Sequence, residues 1–433
     1  MRSFLLFFMM TWPVLLMAQS ETVPGVMTAE EAMKRNIDFV YKENIRSVKF
    51  HLSGLFLSQP IIELNSDGLL SLSFDDLDGD VKDYVYTIEH FNADWTRSDL
   101  IDMEYIDGFN EEKITEYEYS FNTITNFTHY FLALPNDNMA WTKSGNYLLK
   151  VYEDEEEREL VITRRFMVVE PLFRVQADLV PAADVSKLKT HHELDFVVSH
   201  KGIKVQNARQ DVKVAVLQNG RWDNAVTGLK PLFLRDEKLI YDFQDKVVFP
   251  AGKEFRFADI RSVRYRMTGV EEIQDFDDGY DVYLYRDRDR SYQAYISERD
   301  VNGGFVIENM NEEDNRLEAD YANVIVSLKA HDPFEKHELY LIGALTDWQV
   351  KDAYQFKYNE TDRSYDLDVK LKQGFYNYLY ALVDKETGTV DTETLEGNWY
   401  ETENIYTILI YFRPFGTRYD RLVAAHTIDS SLR

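Results

Sequence analysis

Apolar side chains recur at every second position through most of this chain. Leu70, Leu72 and Phe74 fall on one side of an extended run, and Tyr84, Tyr86 and Ile88 fall on one side of the next. That alternation predicts two half-buried strands, and the Asp/Gly-rich turn between them predicts that they form a β-hairpin. Further runs are predicted at 47–52, 116–121, 130–134, 147–152 and 160–169, bounded by Asn, Asp, Gly and Pro clusters. A second set lies at 173–180, 194–199, 212–217, 239–243, 254–261, 280–285 and 305–308, and a third at 321–330, 338–343, 365–371, 375–381, 406–412 and 418–425. Short strands at this spacing predict β-sandwiches. One segment reads as a helix: Thr28 to Glu31 has the form of a capping box, followed by Ala32, Met33 and Ile37.

Pro171 and the polar, acidic stretch 309–318 divide these sets. The expected fold is mainly β, with three consecutive antiparallel β-sandwich domains (immunoglobulin-like or related) at 19–170, 171–312 and 313–433, and one short N-terminal helix. Residues 1–18 combine Arg2, the apolar runs 4–10 and 14–18, and Ala18 before polar Gln19. They read as a secretory signal peptide cut after Ala18, because Thr11 and Pro13 interrupt a run too short to span a bilayer. The chain has no cysteine, hence no lipidation site behind that signal, no disulfide and no thiolate metal site. A net charge of -28 disfavours nucleic acid and anionic membrane surfaces and leaves proteins, sugars or cations as partners. The 28 Tyr and 27 Phe suit cross-strand packing.

Candidate chemistry is sparse. Asp75, Asp76, Asp78 and Asp80 crowd around Gly79 and suggest a calcium loop, but the EF-hand spacing of Gly and Glu is missing and a turn explains them equally well. The acidic run 153–157 reads as a solvated hairpin tip. His191, His192, Glu193 and His200 could supply metal ligands, yet adjacent strand residues point to opposite faces. No GxSxG, HExxH, phosphate loop or dinucleotide fingerprint occurs. No enzymatic activity and no cofactor is expected. Asn219-Gly220 predicts a tight turn with Arg221 and Trp222 just beyond it. Trp and Arg are enriched at interface hot spots, so Tyr105, Trp95, Trp141, Arg221 and Trp222 are candidate partner-interface residues, with core packing as the alternative for each.

The wording of several segments carries more. LSLSFDDLDGDVKDYVYTIEHFNADW at 70–95, YIDGFN at 105–110, YEYSFNT at 117–123 and SGNYLLKVYEDEEERELVITRRFMV at 144–168 resemble the plug protein of the type IX secretion system. So do LQNGRWDNA at 217–225, FRFADIRSVRY at 255–265, DVYLYRDRDR at 281–290 and EGNWYETENIYTILIYFRPFGTRYD at 396–420. The resemblance implies a periplasmic protein that closes the outer-membrane translocon barrel of that system, with no catalytic residue or cofactor. LYLIGALTDWQVKD at 339–352 with KQGFYNYLYAL at 372–382 is similar to early-set immunoglobulin-like sandwiches that include glycogen-binding modules, in which a Trp at the position of Trp348 can stack on sugar. An exported glycan-binding or glycan-cleaving protein therefore stays as one alternative and an outer-membrane barrel as another, although most runs are shorter than spanning strands.

Overall fold

A computed structural model describes residues 23–153 and 158–432; the signal segment expected at 1–18 and most of the acidic run 153–157 lie outside them. The helix Ala29–Arg35 starts as its sequence predicts. The Glu31 N–H donates to Thr28 Oγ1 at 3.2 Å, and the Thr28 N–H donates to the Glu31 carboxylate at 3.4 Å. Two four-residue helical turns, Asp102–Tyr105 and Ala208–Asp211, were not expected.

The regular structure that remains is almost all strand, arranged as three pairs of packed sheets. In the first sandwich, Ile45–Leu52, Leu70–Asp76, Thr128–Leu134 and Glu116–Tyr119 form one antiparallel sheet. Glu159–Val169, Gly145–Glu153 and Tyr84–Phe91 lead the other, with Ile61–Glu63 running parallel beside Glu159–Val169. Leu70, Leu72, Phe74, Tyr84, Tyr86 and Ile88 all point into the core between the sheets, as their alternation requires. Their two strands are not a hairpin, however. The connection crosses from one sheet to the other, so Phe74 and Tyr84 meet face to edge across the core, with ring centroids 5.2 Å apart. Alternation fixes which side chains turn inward; it says nothing about which sheet receives the strand.

The other two sandwiches are not consecutive in the chain. In the middle one, Arg174–Pro181, His191–Ser199, Lys238–Tyr241 and Phe233–Arg235 face a sheet ordered Val226–Thr227, Val212–Gln218, Ile405–Phe412, Arg421–Asp429. The last two strands of the chain thus return to complete it, and Ile408, Ile410 and Val423 pack with Val212, Val214 and Leu194 in its core. The third sandwich is inserted between Pro250 and Ile405. Gly374–Asp384, flanked by Arg256–Asp259, Phe305–Ile307 and His337–Ile342, faces a sheet containing Gly279–Leu284, Tyr321–Lys329 and Ser364–Lys372. The expected boundary near 312 therefore falls inside one core, because Val263, Val282 and Phe305 pack with Val324, Leu339 and Tyr376. The expected domain at 313–433 likewise loses 405–429 to the middle sandwich. Among the described residues the sheets pack face to face and none closes into a barrel.

Candidate functional site

Where the three sandwiches and the N-terminal helix meet, they enclose an open cavity of about 760 Å³. Three of the five residues singled out in the sequence lie at this junction. Trp95 closes the tight turn after Tyr84–Phe91 with its N–H donated to the Asn92 carbonyl at 3.0 Å, and it takes a left-handed φ of 59°. Asp94 holds that turn by accepting from Thr96 Oγ1 at 2.6 Å. Trp222, from the middle sandwich, stands edge-on to Trp95 with centroids 5.1 Å apart. The Arg165 guanidinium lies 4.0 Å from the Trp95 ring centre and 5.5 Å from that of Trp222. Its Nε donates to the Asn36 carbonyl at 2.6 Å and its Nη2 to the Arg35 carbonyl at 3.1 Å, tying the helix end to the first sandwich. Burial lowers the Arg165 guanidinium to about 10, with Asp38 opposing the shift, so it stays charged at neutral pH.

Arg221 carries the junction to the third sandwich. Its guanidinium forms a two-pronged pair with Asp223, Nη2 to Oδ2 at 2.6 Å and Nε to Oδ1 at 3.1 Å, and lies 4.3 Å from the ring centre of Trp348. Trp348 also packs on Phe255, and Gly303 sits so close that a Cβ there would come within 2.2 Å of Cη2 of the indole. Trp348 is thus engaged by three protein groups, which does not favour the flat sugar platform that the early-set resemblance suggests. Beside it, Arg164 Nη2 approaches Asp347 Oδ1 at 3.3 Å, a direct ion pair between the first and third sandwiches.

Tyr105 and Trp141 sit elsewhere. Tyr105 is 1% exposed in the core of the first sandwich, with its hydroxyl donating to Asp102 Oδ1 at 2.6 Å. Trp141 pairs through its strand with Ile106–Gly108 and packs on Phe166, centroids 5.2 Å apart. Both are core residues with no face on the junction. The predicted Asn219-Gly220 turn forms, with both residues at positive φ and the Arg221 N–H donating to the Gln218 carbonyl at 3.0 Å, but the strands around it close a longer loop. Sequence reasoning missed Arg164 and Arg165. The signal was present: two adjacent arginines within the apolar strand Glu159–Val169, where charge is costly unless paired.

The acidic cluster divides. Asp76 turns inward and accepts from Tyr84 Oη at 2.9 Å and Asn44 Nδ2 at 2.6 Å, while Asp75 turns outward toward the third sandwich. Protein donors fill these carboxylates. His192 is buried against Tyr406 Oη at 2.8 Å and the Tyr400 carbonyl at 2.7 Å, whereas His191 meets Thr190 Oγ1 on the other side of the strand.

Because Trp222 bridges two sandwiches while remaining partly exposed, Trp222→Ala is expected to destabilise the protein by about 2–3 kcal/mol, below the cost of a fully buried Trp. Urea denaturation followed by tryptophan fluorescence measures it, and a change within 0.5 kcal/mol would show that Trp222 does not bridge.

Comparison with known proteins agrees with this architecture. No curated protein matches the chain. A crystal structure of a hypothetical protein from Parabacteroides merdae ATCC 43184 superposes with a TM-score of 0.87 at 33% identity, covering 91% of this chain and 99% of that one. A collagen adhesin (CNA) from S. aureus aligns at 8% identity over 88% of this chain and 91% of that one, with a TM-score of 0.12 too low to carry an argument. The model of the type 9 secretion system plug protein first domain matches residues 45–170, the stretch that forms the first sandwich and carries Trp95 and Arg165. On this match, which covers the first sandwich, the chain belongs to the type IX secretion system plug protein family.

Proposed function

We propose that this protein is exported to the periplasm, binds the outer-membrane translocon barrel of the type IX system and closes it when no cargo is engaged. The observation that supports this reading is a body whose lobes are locked to one another. Its sandwiches are joined by buried polar contacts as well as by chain: Arg164 with Asp347 at 3.3 Å, Lys372 Nζ with Asp75 at 2.7 Å, and Tyr411 Oη with Asn146 Oδ1 at 2.7 Å. A stopper for a wide barrel must hold its shape, and a body locked at several points does so where beads on linkers would not. A closure that must be undone suits a polar, reversible interface over a large obligate one. The partner-facing residues among Trp95, Trp222 and Arg221 would then be those at the rim of the three-way junction.

A strain lacking the protein but retaining the translocon is expected to admit large antibiotics that the outer membrane normally excludes. Unchanged permeability with the translocon present would sink the reading. Affinity recovery of the tagged protein from gently solubilised envelopes is expected to bring down one very large outer-membrane protein in near-equal amount.

A further inference from the structure

A second cavity, of about 580 Å³, lies on the opposite side of the first sandwich's smaller sheet from its core. Outward-facing positions of three adjacent strands build its floor: Lys49 and His51, then Ser71, Ser73 and Asp75, then His129 and Phe131. Phe56 and, from the third sandwich, Val306 and Ile307 supply apolar walls.

Two of the floor groups have unused capacity. His129 is 7% exposed and its Nδ1 is bonded to Asp75 Oδ1 at 2.6 Å, while its Nε2 is buried without a hydrogen-bond partner among the described residues. Asp75 fixes the imidazole proton on Nδ1, so Nε2 presents a lone pair. Lys49 donates to the Phe305 carbonyl at 2.8 Å and lies 4.1 Å from the Phe305 ring centre, with no carboxylate partner among the described residues. Burial and the nearby Arg164 charge lower its ammonium to about 8. The other charges at the cavity are already answered: Lys372 by Asp75, Glu308 by Arg261, and Arg316 by Asp314 and Glu118.

We propose that this cavity binds an organic acid with a neighbouring hydrogen-bond donor on an apolar body, the pattern of an N-acylated amino acid or the free C-terminal residue of a peptide. Lys49 supplies the counter-charge for the carboxylate, His129 Nε2 accepts from the ligand N–H, and Phe131, Val306 and Ile307 cover the apolar part. Each donor or acceptor that the protein leaves open is met by one group of that ligand, and burying the apolar body favours association.

Calorimetric titration of the whole mature protein with N-acetyl-L-phenylalanine tests this, with its carboxamide as the control. The acid is expected to bind at millimolar concentration or below and the amide at least about tenfold more weakly. Lys49→Met, which removes the charge at similar volume, is expected to weaken the acid to the level of the amide. Ser73→Leu, which fills the floor beside its cross-strand partner Lys49 while leaving the ammonium and His129 in place, is expected to abolish binding and guards against a Lys49 variant that fails to fold. A short peptide ending in phenylalanine with a free carboxylate separates the two sources: binding of both probes supports a chain end as well as a small acid, and binding of the small acid alone supports a small molecule. Equal affinity for acid and amide, or no binding of either acid by folded protein, overturns the proposal.

Discussion

A chain ending at residue 404 is expected to lose its middle sandwich altogether. Ile405–Phe412 is the inner strand of a four-stranded sheet, paired on one side with Val212–Gln218 along seven positions and on the other with Arg421–Asp429. Both its faces are covered. Tyr406, Ile408, Ile410 and Phe412 enter the middle core, while Leu409 and Tyr411 pack with Phe91, Leu148 and Met167 of the first sandwich. At about 1.5–3 kcal/mol for each buried large side chain, these six are worth roughly 9–18 kcal/mol, as much as the whole stability of an ordinary domain, about 5–15 kcal/mol. Circular dichroism and limited proteolysis should find residues 171–250 cut rapidly in the shortened chain. Removing the inserted third sandwich is expected to be far milder. Asn404 Nδ2 donates to the Ala251 carbonyl at 2.8 Å, so the two ends of the insertion leave the middle sandwich side by side and a short linker can replace 252–403. If the chain ending at 404 keeps 171–250 protected, the returning strands are decoration and the assignment of 405–429 to the middle sandwich fails.

This arrangement marks what was legible in the sequence. The run IYTILIYF has no alternation, which is the mark of a strand buried on both faces, and it forms one. Its partner strand, about two hundred residues earlier, has no local signature, so a boundary drawn from the polar stretch at 309–318 followed composition and missed the core. The capping box and the first sandwich's inward faces depend on local pattern, and local pattern supplied them. The junction depended on which lobes meet. Residue type alone points to Trp95 and Trp222, while the arginine that bridges them lies inside an apolar strand. Tyr105 and Trp141, chosen by the same rule, went to the core because aromatic side chains serve packing as readily as contact. The acidic cluster held a missed clue: adjacent strand residues point to opposite faces, so Asp75 and Asp76 could not both serve one loop-bound ion.

Asp75 carries the second large effect. It is fully buried between the first and third sandwiches, where Oδ1 accepts from His129 Nδ1 at 2.6 Å and Oδ2 accepts from Tyr321 Oη and Lys372 Nζ, each at 2.7 Å. Lys372 is 1% exposed and also donates to the Arg316 carbonyl at 2.6 Å. Asp75→Asn strands that ammonium without a counter-charge and is expected to cost about 3–5 kcal/mol. Lys372→Met alone should cost a similar amount, and the double variant much less than the sum. The directions of the two ionisations explain why. Burial pushes the Asp75 carboxyl up, but Lys372 and His129 outweigh it and hold it below its usual range; burial holds the Lys372 ammonium below its own range in spite of Asp75. The pair therefore satisfies the acid more fully than the base, and its removal as a unit forfeits little. As pH falls, the unfolded chain protonates this carboxyl first. The stability that Asp75 contributes is complete above about pH 4 and is lost below it as pH passes through the folded value. Urea denaturation of the four proteins at pH 7 and pH 3.5 gives the coupling and its acid loss together. Additive single effects would mean that the two sandwiches are not locked at this point, and a body free to flex there would be a poor stopper.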